Sequence, residues 1–409
     1  MERFLRLALL FLLLATGLGV LLRAAMVTPL SFFSFGDALH AHSHTLYFGW
    51  AALALFVLFF ERVGATDVTV RRTLWLVVAV SGATFVAFLH SGYGRPGVIV
   101  SAASLVAWGV VVTLFLRRAR GHRDADVAWL RVACWYVVVA AGAALSRVVL
   151  LVTRQEPLWG KLAVAAFLTT FAGFFLFGVV GLTARFLALR GAPLEARLLR
   201  WQLGWMAPLT ALMFPLGVPE AMETPFGVMA RVAAVAAVVP AALWLANLWH
   251  ASRRLERGLR LFLRSVAVAW ALKASLEVGA AFGLTALAAT SRHSVILLLH
   301  LVLLGVVSSL LLSLIGARLR RDVTGALLVH QLGVVVMSVG LLLAVLAASG
   351  GWKTGVGGLW LALAGGAVVV GADLALTIRC FEAPASGEVM ASGAARPPGA
   401  SAPGEREQD

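Results

Sequence analysis

Long apolar runs separated by short polar segments fill almost the whole chain. Each run approaches the length of about 20 residues that an α-helix needs to cross the hydrocarbon of a bilayer. The pattern therefore predicts an all-α, polytopic membrane protein with about twelve transmembrane helices. The predicted spans are roughly 4–22, 42–60, 74–92, 97–116, 127–152, 162–189, 201–218, 225–249, 265–288, 293–316, 325–348 and 356–378.

Composition and charge support this class and orient the chain. The sequence is 61% hydrophobic and 13% charged, and its mean hydropathy of +0.93 lies far outside the range of soluble proteins. The net charge is +15, but most of the 34 Lys and Arg residues lie on alternate loops and on the two tails. This asymmetry follows the positive-inside rule and predicts that both termini are cytoplasmic. We attribute the basic charge to topology and to contact with the lipid bilayer, and we expect no nucleic-acid partner.

The composition changes abruptly after residue 380. Residues 1–380 are predicted to form one twelve-helix transmembrane domain. Residues 381–409 are rich in Pro, Gly, Ser and Glu, which predicts a disordered cytoplasmic tail. We expect an integral protein of the bacterial inner (plasma) membrane.

Histidines collect at one end of the predicted bundle. His40, His42 and His44 open the second span, His90 closes the third, and His300 lies inside the tenth. With cytoplasmic termini, all five fall in the outer leaflet. Imidazole is the commonest metal ligand, and an ionisable group at membrane depth indicates function. Two interpretations stay open: a haem or metal site, or a set of hydrogen-bonded residues at the membrane rim.

Two of these histidines share a local pattern, with a glycine five residues later: His44 precedes Gly49, and His300 precedes Gly305. Such a glycine leaves a gap where either a flat macrocycle or a neighbouring helix can approach. We predict that His44 and His300 are the axial ligands of one haem. The haem is expected to be b-type, because the chain has no Cys-x-x-Cys-His motif. Bis-histidine coordination leaves no open position on iron and favours electron transfer or sensing.

Five further side chains belong to the predicted site. His42 points roughly opposite to the predicted ligand two residues later, so we assign it to a second metal with His40 or His90, or to the helix end. Haem propionates need cations, and Arg147 and Arg231 are the candidates in the outer leaflet. Arginines at such a rim also extend to lipid headgroups, which is the alternative role.

These motifs resemble the NnrS family, which are haem- and copper-containing membrane proteins linked to nitric oxide stress, and the related catalytic subunit of haem-copper oxidases. The segment His42-Ser43-His44-Thr45-Leu46-Tyr47-Phe48-Gly49 is similar to the family pattern His-Ala-His-Glu-x-Leu-Phe-Gly, with Thr45 at the acidic position. The loop from Arg318 to Gly325 is similar to the family's Arg followed by Gly-His-Thr-Gly, with Val323 at the histidine position. The resemblance implies haem and copper as cofactors. It also implies a role in nitrosative stress or electron transfer, with a diatomic gas or a redox partner.

The sequence excludes one related function and leaves a second class of protein open. Residues 160–249 contain no histidine, so the three-histidine copper site of the oxidases is missing and oxygen reduction of that type is excluded. The rival class is a twelve-helix secondary transporter, which would bind substrate at broken helices and polar midplane residues. The candidates for that role are Pro208, Pro215, Pro240, Lys273 and Glu277. An absorption spectrum separates the two classes.

Overall fold

The computed structural model describes residues 1–28, 30, 34–154, 157–284, 292–350 and 355–382. The predicted tail beyond Glu382 lies outside the described residues. Within the described ranges the chain is helical and contains no strand. We number the helices α1 (Glu2–Val27), α2 (Phe35–Arg62), α3 (Val68–Ser91), α4 (Arg95–Arg118), α5 (Ala125–Val152), α6 (Pro157–Leu189), α7 (Ala196–Leu212), α8 (Pro225–Ser252), α9 (Arg257–Gly279), α10 (His293–Arg318), α11 (Thr324–Gly350) and α12 (Gly355–Phe381).

Eleven of these helices are long and apolar enough to cross a membrane. This confirms the all-α, polytopic membrane protein predicted from the sequence. The remaining helix, α7, has 17 residues and contains Pro208. Its length lies at the short end of the range that spans a bilayer, about 17 to 25 residues. Two 3-10 turns, Phe214–Gly217 and Pro219–Glu223, continue the chain after it.

The start of α1 and the end of α12 lie close together, and this contact determines how α7 crosses the bundle. The guanidinium of Arg6, near the start of α1, lies 5.5 Å from the ring centre of Phe381 at the end of α12. Both ends therefore lie on one face of the bundle, which we call the terminal face, and the chain crosses the bundle an even number of times. Beyond α7, Val218 packs against Leu162 near the start of α6, on the opposite face. Helix α7 is thus a twelfth crossing.

Helices α2 and α10 occupy the centre of the bundle. In their most apolar windows, 83% and 72% of the residues are buried, whereas no other spanning helix exceeds 56%. A spanning helix that faces lipid has a large exposed fraction, so these two helices face protein on nearly all sides. Their polar side chains are therefore reached only through the interior of the bundle.

Both central helices widen into π-helical turns near the same depth. The π-helical segments are Thr45–Ala52 in α2 and Leu301–Ser308 in α10. The indole Nε1 of Trp50 donates a hydrogen bond of 2.8 Å to Oγ of Ser308 and joins the two segments. Turns of this kind leave backbone carbonyls without their regular partners and are frequent at functional sites. Here the carbonyl of Gly305 accepts from Nε2 of Gln331 at 3.0 Å.

Charged side chains on the terminal face tie the central helices to their neighbours. Arg318 at the end of α10 pairs with Glu61 at 2.9 Å and with Glu2 at 3.3 Å. Arg62 at the end of α2 pairs with Asp124 at 2.8 Å, and this hydrogen bond lowers the pKa of the Asp124 carboxyl. The pairs are partly exposed, so each contributes only about 0 to 1 kcal/mol to stability. Their main effect is to fix which helix ends lie together.

Candidate functional site

His42 of α2 and His300 of α10 lie side by side inside the bundle. Their ring centres are 6.4 Å apart, and their planes are within 11° of parallel. His42 is buried, with 9% of its surface exposed. Each ring comes from one of the two central helices, and His300 is the last residue before the second π-helical segment.

The hydrogen bonds of the two rings determine which nitrogen of each is free. Nδ1 of His42 lies 2.7 Å from the carbonyl oxygen of Ala15, and Nδ1 of His300 lies 2.6 Å from that of Ile296. A carbonyl only accepts, so Nδ1 carries the hydrogen in each ring and Nε2 carries the lone pair. Neither Nε2 has a hydrogen-bond partner among the described residues. This is the arrangement of a metal-ligating histidine, whose other nitrogen is held by a backbone carbonyl.

A buried cation shares the cavity of the two rings. Arg23 of α1 is 8% exposed, and its Nη1 donates to the carbonyl of Gly19 at 2.9 Å. Its Nε and Nη2 are buried and have no hydrogen-bond partner among the described residues. Gly19 also allows α1 to approach α2, because a Cβ at that position would lie 2.8 Å from Cε1 of His42. The glycine thus makes room for the imidazole.

The two imidazoles have about the spacing of haem axial ligands, whereas the cavity beside them is far smaller than a porphyrin. With a metal–nitrogen distance of about 2 Å, ligands on opposite sides of one metal have ring centres about 6 Å apart, close to the 6.4 Å found here. The unpaired guanidinium of Arg23 would repel a bare metal ion, whereas it suits the carboxylates that a haem brings. The free volume beside the rings is about 10 Å³, roughly that of one water molecule. A porphyrin therefore requires apolar lining side chains such as Met337 and Leu304 to turn outward.

The structure separates His44 and His40 from this pair. The ring of His44 stacks on Phe88 of α3 at 4.1 Å, and its Nε2 lies 3.2 Å from the hydroxyl of Tyr93. The ring of His40 lies 4.4 Å from that of Tyr93. His42 therefore replaces His44 as the neighbour of His300. Residues 42 and 44 differ by about 200° around the helix, so only one of them faces α1 and α10.

The other residues predicted for the site lie elsewhere. His90 is exposed at the end of α3, and Arg231 is exposed on α8. Gly49 faces the ring of Phe11, and Gly305 faces Ala269, so both glycines serve helix packing and neither lines the cavity of the two histidines. The described residues contain no group of three or more His, Cys, Asp or Glu side chains that could hold a metal ion.

Arg147 belongs to a different cavity. It lies near the end of α5 on the opposite face, and its Nη1 is 3.2 Å from where a Cβ of Gly160 would stand. The cavity that it lines also contains Lys161, Glu220 and Glu277. Arg147 therefore lies away from the two histidines, and the cation in their cavity is Arg23, which was not one of the two arginines predicted for the site.

The sequence analysis missed a second buried polar pair next to the site. Nδ1 of His330 in α11 lies 2.7 Å from Oδ1 of Asp373 in α12, and both side chains are buried. Nε2 of His330 is 3.4 Å from the carbonyl oxygen of Leu304, in the π-helical segment after His300. An aspartate inside the apolar run 367–376 was the available signal, because such residues are rare in spans and mark function.

No protein-family model matches the chain, and no curated protein matches it.

Proposed function

We propose that this integral membrane protein binds one b-type haem, with His42 and His300 as the two axial ligands. The observation that carries the proposal is the pair of parallel imidazoles, 6.4 Å apart, each with Nδ1 bonded to a carbonyl and Nε2 free. When bound, the haem supplies one-electron transfer, and two histidine ligands leave no iron position for oxygen chemistry. The protein is accordingly not an oxygen-reducing terminal oxidase.

The surrounding residues hold and tune the site. The carbonyls of Ala15 and Ile296 orient the rings and raise the basicity of each Nε2. Arg23 provides the cation for a haem carboxylate in an interior from which water is largely excluded. The apolar walls lower the local polarity, which together with axial ligation sets the reduction potential.

The physiological role follows from the motif resemblance to NnrS proteins. We propose a function in electron transfer or in the response to nitric oxide at the bacterial inner membrane, with a diatomic gas or a redox partner as its counterpart. Copper has no convergent ligand set among the described residues and is not part of the proposal. The alternative is a secondary transporter, which requires no haem.

Spectroscopy of the purified protein tests the proposal. The protein is produced in a haem-replete host, and its reduced-minus-oxidised spectrum is expected to show a sharp low-spin band. His42→Ala and His300→Ala should each lose that band, because removal of either ligand opens the iron. His44→Ala is the matched control and should keep it. His42→Gly with added imidazole should recover the band if the fold is intact.

Two results would overturn this proposal. If the purified wild-type protein contains no iron porphyrin, the haem proposal is wrong and the transporter alternative is favoured. A His42→Ala protein with an unchanged spectrum, beside a His44→Ala protein without haem, restores the ligand pair predicted from the sequence.

A further inference from the structure

Lys273 and Glu277 form an ion pair within a single helix. Both residues are on α9, one turn apart, and Nζ of Lys273 lies 2.7 and 2.8 Å from the two carboxylate oxygens. Their side chains are only 10% and 24% exposed. Lys273 is about 24 Å along the helix from Arg257 at 1.5 Å per residue, well inside the membrane. Buried charges at this depth are costly, and this pair forms no hydrogen bond to another helix within the described residues.

The pair instead borders two adjoining cavities. The inner cavity has a volume of about 140 Å³ and is walled by Tyr47, Phe171, Phe175 and Val302 besides the ion pair. The outer cavity has a volume of about 830 Å³ and extends to Arg147 and Lys161 on the opposite face. Glu277, Leu168 and Thr169 line both cavities, so the two cavities adjoin at these residues.

Size and chemistry define what the inner cavity accepts. A cavity of about 150 Å³ with apolar walls holds one benzene-sized ring, and the measured 140 Å³ has this size. Three of its walls are aromatic rings, which favour an aromatic or quinonoid face. The ammonium and the carboxylate neutralise each other, so a charged ligand head would remain uncompensated. Together they offer one donor and one acceptor to an uncharged head with oxygen substituents.

The outer cavity fits the remainder of an amphiphilic ligand. Its volume of 830 Å³ lies in the range of ligand pockets, about 300 to 1,000 Å³. Val164 and Leu168 on its wall are 42% and 40% exposed, which leaves an apolar surface between the mouth and the ion pair. A molecule that enters head first from the membrane would leave its apolar tail in this space.

The inner cavity lies directly behind the histidine site. Leu46 lines the cavity of His42 and His300, and the next residue, Tyr47, lines the inner cavity. In the same way Leu304 lines the histidine cavity and Leu303 the inner one. In each π-helical segment, one residue faces the histidine cavity and its neighbour in sequence faces the inner cavity. The two cavities are therefore separated only by the thickness of these segments.

We propose that the inner cavity binds the ring of a membrane-soluble hydroquinone, with one ring hydroxyl donating to the carboxylate of Glu277 and accepting from the ammonium of Lys273, and with the apolar tail in the outer cavity. That this ligand exchanges electrons with the histidine site rests on the proposed function. The binding itself does not depend on haem.

Binding of a ubiquinone analogue with a short apolar tail, kept in its reduced hydroquinone form under anaerobic conditions, tests the inference. Titration calorimetry in detergent uses wild-type protein and haem-free His300→Ala protein, and both are expected to bind the analogue saturably with one site. Glu277→Gln and Lys273→Gln should each weaken binding at least about tenfold, which corresponds to about 1.4 kcal/mol. Arg118→Gln, which alters the exposed Arg118–Asp67 pair on the terminal face and lines neither cavity, is the matched control and should change binding less than twofold.

A second variant distinguishes a loss of binding from a loss of folding in the Lys273 and Glu277 variants. Ala172→Leu adds bulk from the wall of the inner cavity and leaves the ion pair in place; it should also weaken binding at least about tenfold. Oleate is titrated as a competing anionic amphiphile. Binding of oleate that is abolished by Arg147→Gln but unaffected by Glu277→Gln would overturn the inference in favour of an anionic lipid site.

The two proposals fail separately. A haem-containing protein that does not bind the hydroquinone analogue overturns the hydroquinone site and leaves the haem site standing. A protein that never carries haem but binds the analogue through Glu277 overturns the haem site alone.

Discussion

His330 of α11 donates from Nδ1 to Oδ1 of Asp373 in α12 at 2.7 Å, in a region where both side chains are essentially unexposed. The other ring nitrogen of His330 faces the carbonyl of Leu304 in α10 at 3.4 Å. One imidazole therefore connects the last two helices to the π-helical segment that follows His300. Within the described part of the chain, Oδ2 of Asp373 has no hydrogen-bond partner, so the pair is the main polar contact of this carboxyl.

Removal of one partner should destabilise the bundle more than removal of both. Asp373→Leu leaves His330 buried without its acceptor, and breaking a buried pair in this way costs about 3–5 kcal/mol. The double variant His330→Leu/Asp373→Leu removes the unpaired group and should recover part of the loss. Thermal unfolding in detergent measures both. A double variant whose loss equals the sum of the two single losses would contradict the coupling.

The hydrogen bond between Trp50 and Ser308 should hold the two π-helical segments together. Ser308→Ala leaves the buried indole N–H without an acceptor, a cost of about 1–3 kcal/mol. Ser313→Ala on the same helix is the matched control, because no hydrogen bond of the Ser313 hydroxyl is found in the described part of the chain, and it should change the unfolding temperature much less. We expect Ser308→Ala also to shift the haem band, since Ser308 closes the segment that begins after His300. Equal effects of the two variants would argue against this role.

The sequence predicted the helices well, but it did not show which histidine of α2 lies beside His300. Apolar length fixes where spans lie, which is why twelve spans were found, including the short α7 that the charges of Arg197 and Arg200 make less apolar. The pattern also brought His300 and the histidines of α2 to one site. It could not determine the rotation of α2 about its axis, because that depends on what packs around a helix buried on nearly all sides.

The matched glycine spacing favoured His44, whereas His42 is the histidine that lies beside His300, and this difference has a physical reason. Gly49 and Gly305 mark the two π-helical segments and the packing of Phe11 and Ala269, not the face on which a ligand lies. The interaction of His330 with Asp373 was likewise hidden, because residues 43 positions apart in sequence meet only through the packing of α11 on α12. The position of Asp373 in an apolar span indicated a functional or structural role, but the sequence did not show that His330 is its partner.

Gly49 should be intolerant of a side chain. A Cβ at this position would lie 2.6 Å from Cγ of Phe11, which is closer than two non-bonded carbon atoms can approach. Gly49→Ala should therefore destabilise the protein by about 1–3 kcal/mol, the usual cost of overpacking. Gly17→Ala is the matched control, because nothing lies within 4 Å of its Cβ position and alanine is favoured over glycine in a helix by up to about 1 kcal/mol. The two variants should shift the unfolding temperature in opposite directions; an unchanged Gly49→Ala protein would mean that α1 and α2 pack less closely than described.

The terminal face is expected to be cytoplasmic, because Arg318 and Arg62 and most loop cations lie there. Thr66 in the loop before α3 and Glu223 before α8 are exposed on opposite faces, and the native Cys134 and Cys380 are buried. In a background in which both native cysteines are replaced by alanine, Glu223→Cys should react with a membrane-impermeant maleimide in intact spheroplasts. Thr66→Cys should react only after the membrane is opened. The reverse pattern would place His42 and His300 in the cytoplasmic half of the membrane, and with them the side from which a redox partner or a gas reaches the site.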